Sequence, residues 1–435
     1  MHRRRPSLGL ALLAFVGATS AQETADWPHF GGAGGDARTA PLASEFAWGE
    51  DGPEVLWRTP TGPGYGGPAI RDGQVFLLDR EVGVRDRLRV IDLVTGKEEW
   101  EVSYEAPGRL QFAGSRTVPA ITAEMVLCVG GQGRVTGIDR KKRAIAWDTH
   151  LEEVYGGELP MFGWSCSPLI VGDMVIVTIL GEEAGLLALD VATGEERWVT
   201  ETVGYSHSTP VLMDLLGKRQ IVFLSTMYQT SGVDQSAPTT ISSFDPEFGE
   251  LLWRTETELT RLPIPPPVRI DDQRFFVTGG YRGGSTMLRI AQTEEGYAFE
   301  ELFHLERGAQ VHAPILFEDH LYLIVNENWN DQRSRRGEGG LMCLSLEGKE
   351  LWRTKDDPYL GRGNLFLAGD ALIVQDGYDG TLRVVPATPK GYSTLAQARP
   401  FGPGDGRDQE MWAPMATANG LVVMRSQDEL ICLRP

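Results

Sequence analysis

Short apolar runs separated by polar turns occupy nearly the whole chain. Eight of these runs recur before a second polar turn, and all but ALIVQD follow a short segment that contains proline: QVFLLD, MVLCVG, MVIVTIL, QIVFLST, RFFVTGG, HLYLIV, ALIVQD and GLVVMR. Few windows show the three- and four-residue apolar spacing of a helix, and Gly or Pro interrupts most of those. The pattern therefore predicts an all-β chain of many short strands.

A second pattern is a hairpin that ends in tryptophan, as in VIDLVTGKEEW and LALDVATGEERW. Successive tryptophans up to Trp253 are 43, 47, 51 and 55 residues apart, and the next gap is 99 residues with Phe303 near its middle. The positions are Trp57, Trp100, Trp147, Trp198, Trp253 and Trp352. A repeat of this period, with four short strands in each unit, predicts a β-propeller with four antiparallel strands per blade.

The tryptophan-ended hairpin is interpreted as structural. An aspartate stands eight residues before the tryptophan in four units, at positions 92, 139, 190 and 245. Such a side chain can accept hydrogen bonds from the amides of its own turn, and Gly96 or Gly194 can supply a positive φ. The indole is large and flat with one N–H donor, which suits a wedge between neighbouring sheets. The six tryptophans are therefore predicted to dock one blade on the next.

Counting second strands predicts eight blades, with seven as the alternative. The last blade lacks its fourth strand, and PEVLWRT around Trp57 is predicted to fill that place and join the two ends of the chain. Two units depart from the pattern. The fifth has Phe303 for tryptophan, and the seventh has neither the aspartate nor the tryptophan.

The N-terminus predicts export. Residues 1–21 combine three arginines, an apolar run and a small-residue cleavage site, which is typical of a secretory signal peptide. Residues 22–51 are expected to form an extension, and residues 52–435 the propeller. We expect a periplasmic or secreted protein without a transmembrane segment, because no apolar stretch reaches about 18 residues.

Charge and cysteine content exclude several classes of partner and site. The net charge is −19 over the 435 residues, which disfavours nucleic acid and anionic membranes as partners. The four cysteines show no metal-binding spacing, so no metal site is predicted. Export permits disulfides, with Cys128–Cys166 as the best candidate pair, although the positions are typical of buried strand residues.

The units IDLVTGKEEW and LALDVATGEERW resemble the tryptophan-docking repeat of the quinoprotein (PQQ) propellers, over roughly residues 52–435. DWPHFGGAGG, from Asp26, resembles a segment that precedes such propellers in exported bacterial proteins. The superfamily includes PQQ-dependent alcohol dehydrogenases and BamB, a scaffold of the outer-membrane assembly machinery. The enzyme reading implies PQQ, calcium and an aspartate base. The dehydrogenases also typically carry adjacent cysteines, which this chain lacks, and no residue matches the catalytic aspartate.

A binding site is predicted on the face that carries the loops between blades, which we call the top face. The starts of the inner strands converge there on the channel mouth and bring together aromatic and cationic side chains: Tyr65, Arg109, Gln111, Arg116, Trp164, His207, Arg261, His312, Arg362, Asn364, Glu410 and Trp412. Two long loops on this face, residues 226–240 and 326–340, add Tyr228 and Trp329. The set can bind a carboxylate, a sugar or a peptide strand.

The function expected from these features is that of a non-catalytic, BamB-like scaffold that binds other envelope proteins and has no catalytic residues, metal or cofactor. Enzymatic activity stays an open question at this point. The alternatives are a PQQ- and calcium-dependent alcohol or sugar dehydrogenase, with the small-molecule site at the channel mouth, and a glycan-binding propeller.

Overall fold

The repeated apolar runs form the second strands of eight four-stranded antiparallel sheets, which are the blades of a β-propeller. The protein is described by a computed structural model. The residues that the structure describes are 26–43, 45–46, 48–49, 52–181, 185–226, 238–260, 262–281, 283–326, 339–403 and 409–435. Among these residues there is one short α-helix, α1 (Leu151–Tyr155), which lies between the second and third blades. The prediction of an eight-bladed all-β fold is confirmed.

Two strands precede the first blade, β1 (Arg38–Thr39) and β2 (Glu54–Pro60). Blade 1 contains β3 (Ala69–Arg71), β4 (Gln74–Glu81), β5 (Gly83–Asp92) and β6 (Glu98–Gly108). Blade 2 contains β7 (Ala120–Ile121), β8 (Met125–Val129), β9 (Arg134–Asp139) and β10 (Ala144–His150). Blade 3 contains β11 (Leu169–Val171), β12 (Met174–Thr178), β13 (Leu186–Asp190) and β14 (Glu196–Val199). Blade 4 contains β15 (Val211–Leu215), β16 (Lys218–Ser225), β17 (Pro238–Phe244) and β18 (Leu251–Glu258).

The second half repeats this order. Blade 5 contains β19 (Val268–Arg269), β20 (Arg274–Gly279), β21 (Gly284–Thr293) and β22 (Gly296–Leu305). Blade 6 contains β23 (Ile315–Phe317), β24 (His320–Val325), β25 (Gly340–Ser345) and β26 (Glu350–Arg353). Blade 7 contains β27 (Asn364–Ala368), β28 (Ala371–Gln375), β29 (Leu382–Pro386) and β30 (Ala396–Ala398). Blade 8 contains β31 (Ala416–Ala418), β32 (Leu421–Arg425) and β33 (Glu429–Arg434).

Both N-terminal strands join blades at the other end of the chain: β2 completes blade 8, and β1 adds a fifth strand to blade 7. Strand β2 pairs antiparallel with β33, so it supplies the outer strand of blade 8, and the predicted closure is confirmed. Strand β1 pairs parallel with β27, the innermost strand of blade 7, and this pairing was not predicted. Trp27 exchanges backbone hydrogen bonds with Ile70 of β3. The N-terminal segment therefore runs along the inner strands, in the central channel.

Trp57, Trp147, Trp198 and Trp352 each contact a turn of the next blade. Trp100 lies beneath Arg143 of the next blade, and Trp253 packs on Phe275 and Phe299 in strands of blade 5. Trp57 Nε1 donates to the Leu93 carbonyl oxygen over 2.8 Å, and Trp147 Nε1 donates to that of Val191 over 3.0 Å. Gly96 and Gly194 lie under these rings with φ of 69° and 73°. Phe303 lies on Gly348 in the same manner, so it replaces a tryptophan in blade 5.

The turn aspartates also behave as predicted. Asp92, Asp139, Asp190 and Asp245 each accept hydrogen bonds from amides two and three residues further along the chain. These hydrogen bonds stabilise the ionised carboxylate, and the pKa of Asp190, which also binds Arg197, falls to about 2. Hydrogen bonds within each turn therefore stabilise the repeat, in addition to the packing of indole rings between blades.

The apolar faces of adjacent blades meet in continuous core layers, which contain the four cysteines. Cys128, Cys343 and Cys432 lie in strands, Cys166 lies in the loop that leads to β11, and all four thiols are buried and free. The interpretation as buried residues is confirmed, and the candidate Cys128–Cys166 disulfide is absent. Within the described ranges, no helix has the length and apolar character that crossing a bilayer requires.

Candidate functional site

The loops that join the last strand of one blade to the first strand of the next converge around the channel on the top face. They enclose a cavity of about 490 Å³, which we call the mouth cavity. Its walls come from all eight of these inter-blade loops, and Phe30 of the N-terminal segment lies at its base. The side chains that give the mouth cavity its shape and polarity include Phe30, Tyr65, Gln111, Phe112, Arg116, Phe162, His207, Gln310, His312, Arg362, Glu410 and Trp412.

One wall of the mouth cavity is a chain of aromatic rings in mutual contact. Tyr65 stacks on Trp412 with ring centroids 5.2 Å apart, and Phe112 meets the edges of both rings. Phe112 also contacts Phe162 at 5.4 Å, and Phe162 leads on to His207 at 5.3 Å. Offset and edge-to-face contacts of this kind fix the rings and present a large apolar surface to a ligand.

A carboxylate and a guanidinium sit at the edge of this wall. The Tyr65 hydroxyl donates a short hydrogen bond to Glu410, whose backbone carbonyl accepts from Gln427. The guanidinium of Arg362 lies over the Trp412 indole, 4.7 Å from the ring centroid, in a cation–π contact. Trp412 is thus held between a phenol and a cation.

Arg116 brings a second cation into the mouth cavity. Its guanidinium donates to the backbone carbonyls of Gly114 and Phe112, over 2.6 Å in the case of Gly114. No carboxylate of the described chain lies within ion-pairing distance of it. Burial lowers the pKa of Arg116 to about 10, so the side chain remains charged at neutral pH.

The two histidines of the mouth cavity are neutral. Burial lowers the pKa of His207 and of His312 to about 4, and the nearby charge of Arg116 lowers that of His207 further. His312 Nε2 donates to the Trp412 carbonyl oxygen over 2.9 Å, so the proton of its neutral ring is on Nε2. His207 Nδ1 shares a 2.7 Å hydrogen bond with the Ser165 hydroxyl. Both imidazole rings are therefore fixed by hydrogen bonds and contribute neutral polar groups to the wall of the mouth cavity.

Phe30 lies between two cavities of the central channel. It borders the mouth cavity and also a second, lower cavity of about 660 Å³, which the inner strands and residues 27–38 of the N-terminal segment line. The mouth cavity consequently has a floor made by the chain's own N-terminal segment. A ligand on the top face meets this floor instead of an open channel.

The structure brings together eight of the predicted site residues, namely Tyr65, Gln111, Arg116, His207, His312, Arg362, Glu410 and Trp412. Trp164 is elsewhere: it is fully buried between blades 2 and 3, where Nε1 donates to the Ile179 carbonyl. Asn364 is also buried, and its amide holds Gln375 and Ala413 below the mouth. Arg109 is exposed and does not line the mouth cavity. Tyr228, Arg261 and Trp329 lie outside the described residues, as do residues 227–237 and 327–338 of the two long loops.

Sequence reasoning missed several residues of the mouth cavity, among them Phe30, Phe112, Phe162 and Gln310. Phe112 and Phe162 occupy the same loops as Arg116 and Trp164, four and two residues before them respectively. Their aromatic character in loops that converge on the channel is the signal that could have identified them. Phe30 carries no such signal, because it lies before the first repeat.

The polar groups of the mouth cavity do not form a metal centre. Among the described residues its lining contains one carboxylate, Glu410, and this group is engaged by Tyr65. In the described part of the chain, no three His, Cys, Asp or Glu side chains are grouped as metal ligands would be. Calcium takes six to eight oxygen ligands, and typical sites combine several carboxylates, so these residues do not fit a calcium-bound quinone.

Comparisons with known proteins agree with the propeller fold. A family model described as outer membrane protein assembly factor BamB matches residues 45–230. The serine/threonine-protein kinase AfsK of Streptomyces griseus is 25% identical over 219 residues, which are 50% of this chain and 24% of the kinase. The chain therefore spans about a quarter of the length of this curated relative.

Solved structures of dehydrogenases share the same architecture. A europium-containing methanol dehydrogenase superposes with a TM-score of 0.66 at 12% identity, covering 92% of this chain and 89% of the other. A quinohemoprotein alcohol dehydrogenase from Comamonas testosteroni gives a TM-score of 0.65 at 13% identity, covering 94% and 80%. At such identities the likeness shows the fold alone.

Proposed function

We propose that this chain, which is a β-propeller of the PQQ-like superfamily, works as a non-catalytic scaffold that binds a polypeptide partner through the mouth cavity of its top face. The observation that carries the proposal is the mouth cavity itself. Aromatic rings and two guanidinium groups surround a space that Phe30 closes from below. Aromatic and arginine side chains in a concave site are the residues that dominate protein recognition.

The polar groups of the cavity support binding over catalysis. A general acid or base needs a titratable group that is poised near neutral pH and free to reach a substrate. Here Glu410 accepts from Tyr65, and the pKa of each histidine lies near 4 with one ring nitrogen already hydrogen-bonded. These groups fix the shape and polarity of the cavity.

The location that we propose is the cell envelope. The support comes from residues 1–21, whose pattern of arginines, apolar residues and small residues is that of an export signal. Envelope proteins would then be the partners available to the top face. The family description of residues 45–230 is in keeping with such a role.

Site-specific photo-crosslinking tests the proposal. A photoreactive residue would replace Gln111, which is exposed at the rim of the mouth cavity, in the protein produced in its native host. The matched control is the same substitution at Val94, which is 59% exposed in a turn on the opposite face. We expect one discrete protein adduct from position 111 and none from position 94. Adducts of equal yield and identity at both positions would contradict a top-face site.

Titration of the purified protein with PQQ and Ca²⁺ separates the scaffold from the dehydrogenase alternative. Tryptophan fluorescence and dye-linked oxidation of alcohols and sugars would be followed together. The scaffold proposal expects no turnover and no saturable binding at about ten micromolar PQQ, and turnover would overturn it. Retention of the protein on a polysaccharide, lost on substitution of Trp412, would favour the glycan-binding alternative.

A further inference from the structure

Arg116 forms no ion pair with a carboxylate of the described residues. Its guanidinium faces the mouth cavity and donates hydrogen bonds to two neutral backbone carbonyls, those of Gly114 and Phe112. Other interior guanidinium groups of this protein are paired: Arg80 with Asp86, and Arg425 with Asp79. Enclosing an unpaired charge is costly unless a counter-ion arrives. Arg116 thus marks a place where a ligand can supply a carboxylate and form charge-assisted hydrogen bonds.

The charge balance of the mouth cavity favours an anion. Among the described residues that line it, Arg116 and Arg362 are cationic, Glu410 is the carboxylate and is engaged by Tyr65, and the histidines are neutral. The protein as a whole carries a net charge of −19. A described lining with more guanidinium groups than carboxylates is a local exception in so acidic a protein, and it favours a negatively charged group at the channel mouth.

The remaining walls indicate what accompanies the carboxylate. Tyr65, Phe112, Phe162 and Trp412 provide the apolar surface for an aromatic or large aliphatic group. Gln310 is 3% exposed and lines the same cavity, and its side-chain oxygen has no hydrogen-bond partner. A buried amide without a partner is rare and destabilising, and a peptide group would satisfy it.

The base and the volume of the mouth cavity determine how much of a polypeptide can enter it. Phe30, His312 and Pro414 border both the mouth cavity and the lower cavity, so a polypeptide end that enters from the top face meets the N-terminal segment at the base of the mouth cavity. A volume of about 490 Å³ suits a ligand of small-molecule size, which for a polypeptide means its last one or two residues. A carboxylate, an apolar side chain and a peptide group occur together at the C-terminus of a polypeptide.

We propose that the mouth cavity binds the C-terminal carboxylate of a polypeptide whose last side chain is aromatic or large and aliphatic, with Arg116 as the carboxylate-binding residue. The inference rests on the proposed function, since it names the part of the partner that the scaffold holds. The same chemistry is offered by a free aryl-alkyl carboxylic acid, and the two sources are distinguished below by the length of the probe.

Calorimetric titration with four probes tests the inference. The probes are a hexapeptide that ends in Gly-Phe with a free carboxylate, its C-terminal amide, N-acetyl-phenylalanine and N-acetyl-phenylalanine amide. We expect the free-acid peptide to bind about tenfold to a hundredfold more tightly than its amide, which is the contribution of a hydrogen-bonded charge pair. We also expect it to bind more tightly than N-acetyl-phenylalanine. Equal binding of acid and amide would overturn the carboxylate site.

The variant Arg116→Met separates binding from folding. It should lose the preference for the acid over the amide while its unfolding midpoint stays unchanged or rises, because an unpaired interior cation is replaced by an apolar side chain. Arg109→Met, in the same loop but exposed and outside the cavity, should leave both quantities unchanged. If Arg116→Met keeps the wild-type preference, the assignment of Arg116 is wrong.

Experiment can distinguish failure of the C-terminal carboxylate site from failure of the scaffold function. A protein adduct at position 111 that an excess of the free-acid peptide does not reduce would leave the scaffold intact and overturn the C-terminal site. N-acetyl-phenylalanine that binds as tightly as the peptide, with no protein adduct, would overturn both the scaffold and the polypeptide as the source of the carboxylate.

Discussion

Gly194 lies so close beneath the indole of Trp147 that a Cβ atom on this glycine would stand 2.5 Å from the ring carbon Cδ2. The two residues belong to adjacent blades, and Trp147 Nε1 donates to the Val191 carbonyl in the same turn. Gly194 therefore has two roles. Its φ of 73° closes the turn, and its missing side chain makes the seat for the indole.

A matched pair of substitutions separates these roles. Gly73 has the same φ of 73°, but no atom lies within 4 Å of its added Cβ. We expect Gly73→Ala to cost about 1 kcal/mol, the strain of a left-handed alanine. Gly194→Ala should cost about 1–3 kcal/mol more, since the indole must also shift. Urea unfolding followed by circular dichroism measures both, and equal losses would contradict the docking role.

A buried arginine stabilises the closure of the propeller between blades 8 and 1. Arg425, at the end of β32, donates to the Gly62 and Gly66 carbonyls, to the Ser115 hydroxyl and to Asp79, and is fully buried. It thus ties blade 8 to the loops that surround blade 1. Arg425→Met leaves these acceptors without a donor and should cost about 3–5 kcal/mol.

The control for Arg425 is Arg434→Met in the neighbouring strand. Arg434 pairs with Glu54 across the same closure, but its side chain is 55% exposed. An exposed pair contributes at most about 1 kcal/mol. Thermal unfolding of the two variants should therefore give clearly different midpoints. A midpoint for Arg425→Met that equals that of Arg434→Met would show that the buried network does not stabilise the closure.

The fold could be predicted from sequence because its signals repeat. The aspartate, the glycine and the tryptophan act within one turn and one contact, so each copy shows the same local chemistry, as the pairs Gly96–Trp57 and Gly194–Trp147 do. Strand β1 gives no such signal. Its two residues, Arg38 and Thr39, pair parallel with β27, and nothing local specifies a partner more than 300 residues away.

The mouth cavity could be predicted only in part. The convergence of the loops follows from the propeller topology, and it brings Tyr65, Arg116 and Trp412 into one cavity. The sequence MFGW contains two aromatic residues separated by Gly163, which has a φ of 75°. That turn directs Phe162 into the cavity and Trp164 into the core between blades. Residue type alone does not say which aromatic faces the channel.

The four cysteines should be unreactive in the folded protein. Burial raises the pKa of Cys128, Cys166 and Cys432 to about 12 and that of Cys343 to about 11, and the thiolate is the reactive form. Mass spectrometry after treatment with iodoacetamide at pH 8 should show no labelled cysteine in the native protein. The same treatment in denaturant without reductant should label all four. Fewer than four labels there would reveal a disulfide.

The two histidines of the mouth cavity should make the protein less stable in mild acid. Their folded-state pKa of about 4 lies below the ordinary value of 6.5, so the unfolded chain takes up protons first as the pH falls. The free energy of unfolding should therefore be fully maintained above about pH 6.5 and should decline down to about pH 4, by roughly 1–3 kcal/mol for each histidine. Urea unfolding at half-unit steps of pH measures this slope.

Substitution of the histidines assigns that slope. His207→Gln should remove about half of the decline, and the double variant with His312→Gln should remove most of it, because glutamine stays neutral over this range. The turn carboxylates act at lower pH, since the pKa of Asp190, for example, is about 2. A decline between pH 6.5 and 4 that persists unchanged in the double variant would mean that neither ring is held neutral by the cavity.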